Sequence, residues 1–172
     1  MKMKCFLLAI LMLVMLCGCS GEAAPAETTA PAAQETAAPT EAAVLNMQEL
    51  YDAMAGIEGA PEMVALDADM QLNFCGINPA DCLQSNVAIC GNSLRTDEIW
   101  LIEAVDEAAL ERIRAMAEAR LTAKGEESIT YSPEQYAIVQ EAQIFTQGNY
   151  FALIVSPDVD ALSEIFCSAA GI

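Results

Sequence analysis

Apolar residues are spread along this chain in three different ways, and each pattern predicts a different kind of structure. Residues 6–16 (Phe6 to Leu16) are eleven apolar residues without a charge. A membrane-spanning helix needs about 20, so this run fits the core of a signal peptide, with Lys2 and Lys4 as its positive flank. Residues 20–43 contain no large apolar side chain and carry prolines at 25, 31 and 39. Such a segment cannot bury enough surface to offset its ordering entropy, so it is expected to be an extended, disordered tether. From residue 44 a periodic pattern begins, and 129 residues suffice for one compact core.

Within that domain Asn46 and Glu49 make a capping box, followed by Met47, Leu50, Tyr51, Met54 and Ile57 on one helical face. Gly56 and Gly59 end the helix. A short helix is expected from Asp67 to near Gly76, with Met70 and Phe74 facing inward. Residues 86–90 and 98–105 read as strands, joined through the turn residues Gly91, Asn92 and Ser93. Asp106 caps the longest helix, whose apolar stripe is Leu110, Ile113, Ala117 and Leu121 and whose stop is placed at Gly125. Ser132-Pro133-Glu134 starts a short helix through Tyr136. Residues 142–146 and 150–156 form a hairpin around Gln147-Gly148. Ser156-Pro157-Asp158 opens a last helix that buries Val159, Leu162 and Phe166. The order predicts a single α+β domain: an antiparallel four-stranded sheet of two hairpins, packed against helices on one face.

Charge narrows the function classes. The chain has 25 acids, 7 bases and no histidine, for a net charge of -18. Without histidine there is no Ser-His-Asp triad, no Cys-His dyad and no histidine-ligated metal. Nucleic acid is not an expected partner, because phosphate-backbone binding is driven by Lys and Arg. Residues 44–172 alone carry 21 acids against five bases. An anionic bilayer repels such a surface, so any attachment to a membrane must be made elsewhere.

Leu16-Cys17-Gly18-Cys19 offers that attachment. The segment is similar to the lipobox of bacterial lipoproteins, in which small residues precede an obligatory cysteine. The resemblance implies diacylglycerol on the Cys19 thiol and cleavage between Gly18 and Cys19. Two or more acyl chains hold a protein stably to a bilayer. The expected organisation is a lipoprotein signal peptide over residues 1–18, a lipidated Cys19 with its tether over 19–43, and the globular domain over 44–172.

The strand entry Asp97-Glu98-Ile99-Trp100-Leu101-Ile102, the helix after it, and the stretch from Tyr136 through Ala142-Gln143-Ile144 to the run Gly148-Asn149-Tyr150-Phe151-Ala152-Leu153-Ile154-Val155-Ser156 resemble the domain of unknown function 4358 family of bacterial lipoproteins. The likeness covers roughly residues 45–170. It implies a surface lipoprotein of Gram-positive anaerobes and brings no known active site.

Four local patterns invite chemistry. Gly91-Asn92-Ser93-Leu94 is similar to the Gly-Asp-Ser-Leu block of an esterase class, but that class needs a histidine to deprotonate its serine. A turn is expected instead. Asp67, Asp69, Gln71 and Asn73 alternate like half a calcium loop, yet Leu72 and Asn78 stand where glycine and glutamate are required. Trp100 and Tyr150 could stack on a carbohydrate, although their strand patterns favour the core. Cys75, Cys82, Cys90 and Cys167 have neither C-x-x-C nor zinc spacing. Cys75 and Cys82, seven apart across a loop, are the candidate disulfide; buried free thiols are the alternative, which an anaerobic habitat favours.

No cofactor and no metal are expected. The leading expectation is a non-catalytic binding module at the cell envelope, anchored in the membrane by lipid and engaging an envelope protein or polymer. The alternatives are a hydrolase that works with two carboxylates, an accessory factor of cell-surface polymer modification, and a solute receptor for a transporter.

Overall fold

A computed structural model describes residues 44–172, which form a single α+β domain. Asn46 caps α1 (Met47–Ala55) by accepting from the backbone N–H groups of Gln48 and Glu49 at 3.0 and 3.2 Å. After β1 (Met63–Ala65), Asp67 caps α2 (Ala68–Met70), which widens into a π turn over Gln71–Cys75 and stops at Gly76. A 3₁₀ turn at Pro79–Asp81 leads into β2 (Cys82–Cys90) and then β3 (Glu98–Ala104). Asp106 starts α3 (Glu107–Tyr131) by accepting from the Ala109 N–H at 2.7 Å. Then come α4 (Pro133–Gln140), β4 (Gln143–Gln147), β5 (Tyr150–Val155) and α5 (Val159–Ala170).

The sheet has five strands in the order β1-β2-β3-β5-β4, every neighbouring pair antiparallel. Trp100 at the centre of β3 stands opposite Val87 on one side and Leu153 on the other. Four strands were expected; β1 is the fifth. Its three residues are too few to show a period, and they become a strand by pairing with Ala88, Ile89 and Cys90.

Helices cover both faces of this sheet, where one face was expected. On one face Val87, Trp100, Ile102, Phe151, Leu153 and Val155 pack against α3 and α4 through residues such as Ile113, Ala117 and Val139. On the other, Ile99, Leu101, Ala152 and Ile154 pack against Met47, Leu50 and Met54 of α1 and Val159, Leu162 and Phe166 of α5. β3 and β5 therefore need apolar side chains at both parities, which is why their sequences are nearly continuous apolar runs. Each large side chain fully buried here contributes roughly 1.5–3 kcal/mol.

Two helices differ from their sequence patterns. α2 turns Gln71 and Cys75 inward and leaves Met70 and Phe74 exposed, the reverse of the expectation. The Gln71 amide donates to the Leu66 carbonyl at 2.9 Å, so a polar side chain can occupy the inner position without losing a hydrogen bond. α3 does not stop at Gly125 but continues to Tyr131. Gly125 lies where α4 packs on α3: a Cβ there would sit 3.7 Å from Tyr136 Cε2 and 3.8 Å from Gln140 Nε2. Helix packing, not termination, accounts for that glycine.

Candidate functional site

Glu98 opens β3 on the face covered by α3, and it is the only fully buried acid among the described residues. An ionised carboxyl placed there requires close compensation. Three side chains supply it. Trp100, two residues along the same strand and so on the same face, donates its indole N–H to Glu98 Oε1 at 2.7 Å. Arg120 donates from Nε to both carboxyl oxygens at 3.1 Å and from Nη2 to Oε2 at 3.0 Å. Lys124 lies one turn further along α3, with Nζ 2.8 Å from Oε2. Burial alone would raise the proton affinity of Glu98. The Lys124 ammonium and the Arg120 guanidinium outweigh it and hold the carboxyl below its ordinary range.

The cluster continues into the segment that joins β2 to β3. Lys124 Nζ also donates to the Thr96 carbonyl at 3.0 Å, and the Thr96 N–H donates to Gln135 Oε1 of α4 at 2.8 Å. Arg95 clamps Asp97 with two parallel bonds of 2.8 and 2.9 Å. Together these groups wall a cleft of about 170 Å³, with Ser93, Leu94 and Glu127 at its mouth. Charge is layered across it. The side chains of Glu98 and Asp97 are 0% and 2% exposed, whereas those of Lys124, Arg120 and Arg95 are 11%, 27% and 36% exposed. Asp97 lines the cleft and Glu98 lies behind Arg120 and Lys124, which line it with Arg95; Glu127 is the exposed acid of the lining. Three of the five bases in residues 44–172 are gathered here.

A wider groove of about 700 Å³ runs between α1 and α5, floored by Leu45, Leu50, Ile57 and Ile165 with Glu49 and Glu164 beside it. It is larger, but no set of polar groups converges in it, and convergence is what orients a ligand. The cleft at Glu98 is the better candidate.

The residues singled out from sequence fall elsewhere. Gly18 and Cys19 lie outside the described residues. Cys75 and Cys82 are free thiols, without the bridge proposed for them, as are Cys90 and Cys167. Burial pushes Cys75 and Cys82 up to about 11, with Glu98 adding to the rise at Cys75 and Asp81 at Cys82. Trp100 is wholly buried; Tyr150 is half-buried, its hydroxyl accepting from the Leu45 N–H at 3.2 Å. Asp67 caps α2 through the Met70 N–H, and no cluster of three or more metal-ligating side chains occurs among the described residues. Asn92 closes its turn on the Leu94 N–H, leaving Ser93 exposed. None of Glu98, Arg95, Arg120 and Lys124 stood out in the sequence. The available signal was an acid at the head of an apolar strand, followed by two cations one turn apart on the next helix.

The fold and the cleft define a class: an antiparallel sheet between two helical layers, with a buried acid clamped by an arginine and a lysine that line a cleft. Residues 58–156 match the family model described as domain of unknown function (DUF4358), and the chain belongs to that family. No curated protein and no solved structure matches it.

Proposed function

We propose that this protein is a non-catalytic binding module on the extracytoplasmic face of the cell membrane, held there by lipid on Cys19 and reaching its partner through the tether. The observation that carries the binding role is the gathering of three cations in one cleft: Arg95, Arg120 and Lys124 line it, held in place by Asp97 and by Glu98 behind them, and are more exposed than those two acids. Such a site can receive a ligand. A carboxylate-dependent hydrolase needs one carboxyl raised toward neutrality. Asp81, hydrogen-bonded by Arg112, and Glu98 are instead both displaced downward. The anchor is supported by the order of charged flank, apolar run and Leu16-Cys17-Gly18-Cys19. No helix among the described residues is long and apolar enough to cross a membrane.

The anchor is tested by the intact mass of protein extracted from membranes. The expected mass begins at Cys19 and carries acyl chains; a lipid-free product, or one retaining residues 1–18, overturns it. The binding role is tested by capture from solubilised envelopes on the immobilised full chain. A component retained reproducibly over a charge-matched acidic control is expected, and its absence removes the reading.

A further inference from the structure

We propose that the Glu98 cleft binds a small oxyanion, a phosphate or carboxylate group, with Arg95 and Arg120 as its donors and Lys124 as a flanking charge. This rests on the reading of the protein as a binding module and names the ligand class of that site.

Donor accounting supports it. A guanidinium has five N–H groups and an ammonium three. Arg95 spends Nε and Nη2 on Asp97, and Arg120 spends Nε and Nη2 on Glu98; neither Nη1 has a hydrogen-bond partner among the described residues. Asn86 Oδ1 is the one buried side-chain polar atom without a partner among those residues, so both Nη1 groups remain open to solvent. Lys124 spends two of its three N–H groups on Glu98 and Thr96. The same ion pairs hold the cations in place, so a ligand finds the donors already oriented and little side-chain entropy is lost.

Size and charge narrow the ligand. At about 170 Å³ the cleft is smaller than the roughly 300 Å³ at which drug-sized pockets begin. It fits an anionic head whose remainder stays in solvent, such as a group pendant on an envelope polymer. Glu127 at the mouth disfavours a heavily charged ligand. The surrounding acidic surface repels an anionic bilayer, so a soluble or polymer-borne oxyanion is favoured over a lipid headgroup.

The test is an NMR titration of the full chain in neutral detergent with inorganic phosphate, against chloride at equal ionic strength. Saturable shifts are expected in the side-chain N–H signals of Arg95 and Arg120. Arg95→Gln should weaken phosphate binding by about tenfold, the scale of one lost charge-assisted hydrogen bond. Glu127→Gln should tighten it by about two- to fivefold, the scale of an exposed charge contact. Arg112→Gln, a cation outside the cleft, should leave it unchanged. Glu127 makes no hydrogen bond or ion pair among the described residues, so that variant remains informative if Arg95→Gln fails to fold. Shifts absent at tens of millimolar phosphate, or Arg112→Gln weakening binding as much as Arg95→Gln, overturn the proposal. Vesicles of phosphatidylglycerol form a second arm. Binding to them that Arg95→Gln abolishes supports the same site with lipid as its source, and binding that ignores Arg95 overturns the cleft as the anion site. Envelope capture that persists while phosphate fails refutes the cleft alone; phosphate binding without envelope capture refutes the wider reading alone.

Discussion

Arg120 holds Glu98 through three hydrogen bonds of 3.0–3.1 Å, although one residue lies in the middle of a helix and the other at the head of a buried strand. The carboxyl has no solvent to fall back on, so the Lys124 ammonium and the Arg120 guanidinium together keep it ionised. Arg120→Ala is expected to cost about 3 kcal/mol, toward the lower end for stripping one partner from a buried pair because Lys124 and Trp100 remain. Arg120→Lys should recover only part of that, since an ammonium cannot reproduce the fork. Urea unfolding followed by Trp100, the chain's single tryptophan, would measure both, as a lower midpoint with an unchanged slope.

The same contact sets an acid limit. Glu98 and Asp81 have folded proton affinities below their unfolded values. The stability they contribute is present above the ordinary carboxyl range of about pH 4 and disappears as pH falls through their lowered values. Protonating the many exposed acids relieves self-repulsion, which acts in the opposite direction. The two effects are separated by Glu98→Gln, in which the Glu98 contribution is absent at every pH. Tm profiles of the natural chain and of this variant should converge as pH falls below about 4. A gap that stays constant over that range would show that Glu98 does not titrate with stability.

Gly76 and Gly125 should respond to alanine with opposite signs. Gly76 has φ +74°, and its Cβ would come within 2.9 Å of Met116 Sδ; Gly76→Ala is expected to destabilise by about 1–2 kcal/mol. Gly125 is helical, and its Cβ would meet α4 at ordinary contact distances of 3.7–4.0 Å. Gly125→Ala should stabilise by about 0.5–1 kcal/mol through the lower entropy of the unfolded chain. Thermal melts of the two variants decide both.

These glycines also show what was legible in the sequence. Local chemistry was readable: Asn46 and Asp106 cap helices as expected, and Asp67 and Ser132 cap helices at the expected starts, because a cap is a bond within three residues; the last helix begins only at Val159, after Pro157, with no side-chain cap. Features fixed by distant partners were not. Gly125 resembles a helix stop until α4 is seen to pack on it, and β1 has no pattern apart from its pairing with β2. Gln71 is polar, and only the Leu66 carbonyl makes its inward position tolerable. The two-sided helical cover was implicit in the unbroken apolar runs of β3 and β5, which are more apolar than a one-faced sheet needs. The site was hardest to see, because Glu98 in isolation is an ordinary strand entry and Arg120 follows 22 residues later.

The free thiols give a kinetic prediction. With Cys75 and Cys82 raised to about 11, roughly one thiol in a thousand is ionised at pH 8, against about a quarter for an unperturbed cysteine. Alkylation by iodoacetamide at pH 8 should therefore be slower by about two orders of magnitude in the native chain than in urea. Peptide mass spectrometry would assign the rates to each cysteine. Native labelling of either residue at the denatured rate would remove the burial argument, and a Cys75–Cys82 cross-linked peptide would restore the bridge.

Gln84 fixes where the chain enters the domain. Its Oε1 accepts from the Met47 N–H at 3.2 Å, and its Nε2 donates to the Leu45 carbonyl at 3.0 Å and to Glu103 Oε2 at 2.6 Å. One amide on β2 thus ties down both sides of the α1 cap. Gln84→Glu keeps the shape and the acceptor but removes both donated bonds and sets a second carboxylate against Glu103. The expected loss is about 2 kcal/mol at pH 7, the scale of a polar group left unpaired. The defect should shrink below about pH 4, where a protonated glutamate regains one donor. Amide exchange at Met47 should accelerate with the same pH dependence, while exchange at the centre of β3 follows only the global change. Equal acceleration at both places would mean that the strap has no local role and that the chain entry opens only when the whole domain does.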